Sequence, residues 1–194
     1  MPSDVPELIV ANVEAWHEWL EQHCSDHAGV MLVLAKKDTT DPTRLTHDDA
    51  LQVALAFGWI DGQVRRRDEA TFWQRFTPRR SRSIWSQRNA AIAERLIDEG
   101  RMQPSGLAEV ERAKADGRWA AAYAGPATAR VPDDLAAALA ANPEAAAMFE
   151  RLTSQNRYAI LFRLDQAKRA ETRARRLSTF VDMLARGETI HPQK

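Results

Sequence analysis

Trp59-Ile60-Asp61-Gly62-Gln63-Val64 and Thr71-Phe72-Trp73-Gln74-Arg75-Phe76 alternate apolar with polar residues and are rich in aromatic and branched types. That is the pattern of strands with one face turned inward. Arg65 to Glu69, short and charged, lies between them as a hairpin connection. This pair decides the fold class, because most of the remaining periodicity is helical: the chain reads as α+β, a small N-terminal β-sheet with packed helices followed by a C-terminal helical module.

Working toward the N-terminus, Thr46-His47-Asp48-Asp49 has the form of a capping box, and the helix it starts ends at Gly58. Val30-Met31-Leu32-Val33-Leu34-Ala35 is a continuous apolar run between Gly29 and Lys36-Lys37-Asp38, which suits a buried strand. Trp16, Trp19 and Leu20 recur at i, i+3, i+4 and predict a helix from Val13 to His23.

Working the other way, Thr77-Pro78 disfavours helix and opens a polar loop over 77–84, with Ser83 or Ser86 as the cap of the next helix. Ile92, Leu96 and Ile97 form one helical stripe before Gly100, and Ser105 is read as the cap of a second helix that ends near Gly117. Tyr123 to Arg130, with Gly125-Pro126 inside it, is the best linker in the chain. Beyond it, Pro132 and Pro143 stand as first helical residues. The stripes Leu135/Leu139, Met148/Phe149/Leu152, Tyr158/Leu161/Phe162 and Leu177/Phe180/Val181/Leu184 predict four helices. The domains implied are 1–124 and 131–194.

Lysine plus arginine balances aspartate plus glutamate at 27 each, so no global basic field recruits nucleic acid. The distribution is uneven: between Asp61 and Arg95 nine arginines face four acids, and a second basic block runs from Arg151 to Arg176. Such blocks mark a local anion site or contact surface, or else solvated helix faces and stems lying over tryptophan rings. No apolar run approaches the roughly 18–20 residues that span a bilayer. The N-terminus lacks a signal-peptide pattern and Cys24 is the single cysteine, so the expected location is cytoplasmic.

The chemistry concentrates between residues 57 and 85. Arginine forks match carboxylate or phosphate oxygens in pairs, which makes Arg75, Arg79 and Arg80 the candidate anion ligands. Arg79 and Arg80 precede a helix start, where free amides favour the same charge. Trp59, Trp73 and Trp85 offer flat walls and cation–π partners. The alternative is that arginine stacks on tryptophan to hold the hairpin to the next helix. Asp61 reads as a turn former or an arginine anchor, with ligand contact and catalysis as its other roles; a lone carboxylate among arginines is ionised and ill suited as a base. The candidate ligand-binding set is therefore Trp59, Asp61, Arg75, Arg79, Arg80 and Trp85. His23, Cys24 and His27 cluster at a helix end but no second cluster completes a zinc site, and His47 stands isolated. No phosphate loop, dinucleotide fingerprint or nucleophile elbow is present, so no metal or cofactor is expected and no catalytic residue is assigned.

Gly58-Trp59-Ile60-Asp61-Gly62, Arg75-Phe76-Thr77-Pro78-Arg79-Arg80, Ser83-Ile84-Trp85-Ser86, Gly100 to Leu107 and Ala113 to Trp119 follow one another along the chain. These five ordered motifs resemble the bacterial YdeI or OmpD-associated family, also described as bacteriocin-protection proteins. Val131-Pro132-Asp133-Asp134-Leu135, Asn142-Pro143-Glu144-Ala145 and Ala167 to Arg173 are similar to that family's helical segment. The resemblance implies an α+β portion followed by a helical domain, and an association with tolerance of antimicrobial peptides or envelope stress. It carries no catalytic residue set. The function expected is a binding protein for a small anionic or amphipathic compound or peptide. Two alternatives stand beside it: an enzyme on a small acidic substrate in the same pocket, and an interaction module whose basic C-terminal helices (Arg151, Arg157, Arg163, Arg169, Arg173, Arg175, Arg176) dock an acidic partner or nucleic acid. A homo-oligomer is a further expected partner state.

Overall fold

The computed structural model describes residues 5–193 and divides into two compact units, the first running to Ala122 and the second beginning at Tyr123. All six tryptophans lie in the first unit and both tyrosines in the second.

The first unit contains β1 (Glu7–Leu8), α1 (Val13–His23), β2 (Val30–Ala35), α2 (His47–Ala56), β3 (Trp59–Arg66), β4 (Thr71–Pro78), α3 (Gln87–Asp98) and α4 (Pro104–Ala115). The sheet order is β1-β2-β4-β3, with β1 parallel to β2 and β4 antiparallel to both of its neighbours. The predicted hairpin is there. Its second arm, however, pairs with β2, so α2 carries the chain past one strand position that β4 then fills. The two-residue β1 is too short to show a period in the sequence.

Local chemistry explains the elements. Asn12 Oδ1 accepts from the Ala15 amide at 2.9 Å to start α1, and Thr46 and Ser86 cap α2 and α3 through the amides of Asp49 and Asn89. The Asp68 carboxylate accepts from the amides of Ala70 and Thr71 and from the Thr71 hydroxyl, closing the hairpin loop. Those bonds, the Thr71 hydroxyl first, lower its pKa to about 2.

The helix-facing side of the sheet holds the core, in which Trp16, Leu20, Leu32, Leu34, Leu51, Leu55, Trp59, Phe76 and Trp85 are buried. Each fully buried leucine contributes roughly 1.5–3 kcal/mol. Trp16 stacks on Trp19 at 5.4 Å, meets Trp59 edge-on at 6.4 Å, and donates its indole N–H to the Ala50 carbonyl of α2.

α4 does not begin on a serine cap. Pro104 is its first residue, Ser105 lies inside the helix, and Gln103 makes no side-chain cap. The start is set by tertiary contact: the Gln103 amide donates to the Ala56 carbonyl at the end of α2, and Gly106 lies so close that a Cβ there would sit 2.1 Å from the same oxygen.

The second unit comprises α5 (Asp133–Ala140), α6 (Pro143–Glu150), α7 (Ser154–Asp165) and α8 (Ala170–Ala185), packed around Leu135, Phe149, Ile160, Leu164, Phe180 and Leu184. Pro143 opens α6 as expected, whereas Pro132 stands one residue outside α5. Arg173 of α8 forks onto the Asp134 carboxylate at 2.6 and 2.9 Å and donates to the Leu164 carbonyl, tying three helices together. Among the described residues no helix is long and apolar enough to cross a membrane.

Candidate functional site

The six residues singled out in the sequence do not converge; the sheet deals them to different places. Trp59 and Trp85 are each 1% exposed, so both are core side chains and cannot wall a pocket. Trp59 donates its indole N–H to the Cys24 carbonyl at 3.1 Å, joining β3 to the end of α1.

Arg79 lies flat on Trp85, with its guanidinium carbon 3.6 Å from the ring centroid. It is itself buried, donates to the Ile84 carbonyl at 3.3 Å, and its amide donates to the Gly58 carbonyl. Trp119 closes on Trp85 at 4.8 Å, and Arg118 donates to the Ser83 carbonyl at 2.7 Å. The arginine-on-tryptophan stack therefore holds the loop after β4 against the rest of the unit, the second of the two roles the sequence left open. α3 begins only at Gln87, so neither Arg79 nor Arg80 sits at its N-terminus. Arg80 is exposed.

Asp61 is in β3 rather than in a turn, directly before a bulge that spans Asp61 to Val64. Gln74 fills the gap the bulge leaves, donating to the Gly62 carbonyl at 2.8 Å. The partner of Asp61 is His47, the first residue of α2, whose Nε2 lies 3.1 Å from Oδ2, and not an arginine. His47 is thus not isolated. Its Nδ1 lies 3.6 Å from Asp48, which in turn pairs with Arg88 of α3 at 2.8 Å. The Asp61 hydrogen bond raises the His47 pKa above its ordinary value, with partial burial and Arg88 opposing it and Asp48 adding to it. Both ring nitrogens face carboxylates, so this imidazole is an ion-pair hub with no free nitrogen to serve as a base. The signal that joins His47 to Asp61 is tertiary, fourteen residues apart; nothing local announces it.

Arg75 lies on the other side of the sheet. Register places Glu7, Met31 and Arg75 in one row and Val33, Trp73 and Arg65 in the next. Trp73 donates its indole N–H to Glu7, and Arg67 approaches the same carboxylate at 3.6 Å. Val5, Glu7, Met31, Arg65 and Trp73 line a hollow of about 210 Å³ on this face. Arg75 Nε, next to it in the register, is buried without a hydrogen-bond partner among the described residues. Arg67 also pairs with Asp68 at 2.7 Å, so Arg65, Arg67 and Arg75 against Glu7 and Asp68 leave this outer face positive by a single charge, with a tryptophan plane at its centre. Of the expected set only Arg75 belongs here. Trp73, half-buried, replaces Trp59 and Trp85 as the accessible wall.

His23 and His27 meet edge-on at 6.4 Å beside Trp19, and His27 Nδ1 lies 3.0 Å from the Gly29 carbonyl. Among the described residues no three histidine, cysteine or acidic side chains gather closely enough to hold a metal ion.

A layered sheet-and-helix unit with one open, basic sheet face, followed by a four-helix unit, defines a two-part protein without an evident catalytic constellation among the described residues. The model described as "Domain of unknown function (DUF8412)" matches residues 8–109, more than half of the chain, and the protein belongs to that family. Residues 128–187, which hold α5 to α8, match the model described as "Bacteriocin-protection, YdeI or OmpD-Associated". The resemblance noted in the sequence is therefore found in the helical segment, while the motifs from Gly58 to Leu107 fall within the first match. No curated protein and no solved structure matches the chain.

Proposed function

We propose that this protein is a binding protein in bacteriocin protection or envelope-stress tolerance, and that the outer face of its sheet captures a small anionic or amphipathic compound. The description of the family matched by residues 128–187 supports the physiological setting. The observation that carries the ligand class is the hollow beside Trp73, where an indole plane lies among Arg65, Arg67 and Arg75. The plane favours an aromatic or apolar body, and the guanidinium groups favour a carboxylate or phosphate. Work in the cytoplasm, on a ligand of that compartment, is part of the proposal.

The test is a thermal-shift screen of organic acids, nucleotides and amphipathic peptides against the wild type and against Trp73→Leu and Arg75→Gln. A compound that stabilises the wild type and loses most of that effect in both variants supports the reading. No shift from any compound, or shifts that both variants retain, refutes it. Arg79 is unsuitable for this purpose, because replacing a buried, stacked side chain perturbs folding before it perturbs binding.

A further inference from the structure

The second unit has a hollow of its own, unrelated to the sheet face. It measures about 120 Å³ and is lined by Tyr123, Ala129, Arg130, Tyr158, Phe162 and Asp165, with the Ala124 backbone beside them. Its wall is aromatic: Phe162 meets Tyr123 edge-on at 5.0 Å and Tyr158 at 5.8 Å. The Tyr158 hydroxyl donates to the Ala124 carbonyl at 3.1 Å, fastening the segment before α5 to α7. Thr128 and Ala129 donate their amides to the Gly125 carbonyl, so the turn that delivers Arg130 is also closed. The hollow is preformed by these bonds.

Its lining carries both signs of charge. Asp165 is the last residue of α7, so its carboxylate adds to the negative end of the helix dipole. Gln166 donates to that carboxylate at 3.1 Å, a neutral bond that leaves the charge in place. Burial of Tyr158, then the nearby Tyr123 and Asp165, raise the Tyr158 pKa, which agrees with the carboxylate lying close to the phenol. Arg130 lines the same hollow from the connecting segment. Arg130 and Asp165 do not pair with each other, and neither is in an ion pair among the described residues. Arg173, which forks onto Asp134, also acts electrostatically on Asp165; two charges of opposite sign, neither in a direct ion pair among the described residues, beside an aromatic wall match a ligand with the same three parts. The volume is well below the roughly 300 Å³ of pockets that enclose drug-sized molecules. The ligand is correspondingly small.

We propose that this hollow binds a small zwitterion of amino-acid size, its ammonium group held by Asp165 and the ring faces, its carboxylate by Arg130, and its apolar side chain against Tyr158 and Phe162. A cation alone meets repulsion from Arg130, and an anion alone meets Asp165. Only a molecule carrying both satisfies the two charged side chains.

The experiment is an NMR titration of the full chain with L-phenylalanine, with phenethylamine, which lacks the carboxylate, and with N-acetyl-L-phenylalanine, which lacks the ammonium. Saturable shifts at Tyr123, Ala124 and Phe162 are expected with phenylalanine. Each charge-deleted probe should bind about three- to fivefold more weakly, the modest factor proper to partly exposed charges. Asp165→Asn should remove the preference for phenylalanine over N-acetyl-L-phenylalanine, and Arg130→Gln the preference over phenethylamine, while both variants keep the wild-type spectral dispersion. Equal binding of all three probes, the absence of saturable shifts at these residues, or preferences that survive the two substitutions would overturn the assignment. None of these readouts depends on the sheet face of the first unit.

Discussion

Asp61→Asn leaves a side chain of the same shape opposite His47 but removes the charge that favours the imidazolium. Asp61 and His47 are 27% and 29% exposed and 3.1 Å apart. Their pair lies between a solvent-exposed ion pair, worth up to about 1 kcal/mol, and a buried charge-assisted hydrogen bond, worth about 1.5–3 kcal/mol. Discounted for that exposure, the expected loss is about 1 kcal/mol when His47 is protonated. His47 titrates above its ordinary 6.5 in the folded protein, the Asp61 hydrogen bond being the largest cause. The contribution is therefore fully present below the unfolded value and is lost as pH rises through the raised folded value. Urea unfolding of wild type and variant, followed by tryptophan emission, isolates the first unit because every tryptophan is in it. The gap between the two proteins should be about 1 kcal/mol near pH ~5.5 and should shrink to a few tenths near pH ~9, where a neutral hydrogen bond remains. A gap that is constant across this range, or that widens with pH, would show that His47 and Asp61 are not coupled as described.

Three further outcomes rest on the packing. Gly106→Ala forces a Cβ to 2.1 Å from the Ala56 carbonyl oxygen and 2.6 Å from Met102 Sδ, so the junction of α2 and α4 must part; a loss of about 1–3 kcal/mol or more in the same urea assay is expected, and wild-type stability would contradict it. Trp85→Ala removes the buried ring between Arg79 and Trp119 and should cost about 3–5 kcal/mol, whereas Arg80→Ala, on an exposed side chain, should stay within about 0.5 kcal/mol. Comparable effects from the two would mean that Trp85 is not in the core. Arg173→Ala breaks the fork onto Asp134 and should cost the second unit about 1 kcal/mol after discounting for a pair that is 30% and 37% exposed, read in the near-ultraviolet tyrosine dichroism. The Arg173 hydrogen bond is the main cause that lowers the Asp134 pKa below its ordinary 3.8. The wild-type advantage is thus present above that ordinary value and vanishes as pH falls through the lowered one, and an advantage that persists in strong acid would refute the pairing.

Elements are legible where the signal is local. The six-residue apolar run of β2, the Thr46 cap of α2 and the four stripes of α5 to α8 each depend on residues a few positions apart, and the structure places them where periodicity and capping do. Pro104 marks the start of α4 locally, whereas Ser105 as a cap does not, and the contact that holds the start in place, a carbonyl on another helix, has no local signal. The candidate site is legible in composition but not in arrangement. Tryptophan and arginine do interleave between 57 and 85, yet side chains alternate faces along a strand. Asp61 and Phe76, paired in register, face the helices, while Trp73 and Arg75 face the other way.

By itself, then, the sequence determined the α+β class, the hairpin, the change to an all-helical segment and the kind of charge that gathers around the sheet, because propensity, capping and patterning act over short stretches of chain. The tertiary structure alone decided that β4 lies between β2 and β3, that Arg79 and Trp85 hold the fold, that His47 answers Asp61, and that an open basic face forms around Trp73. Those depend on strand order and on which face each side chain takes, and both are set by pairing between residues far apart in the chain.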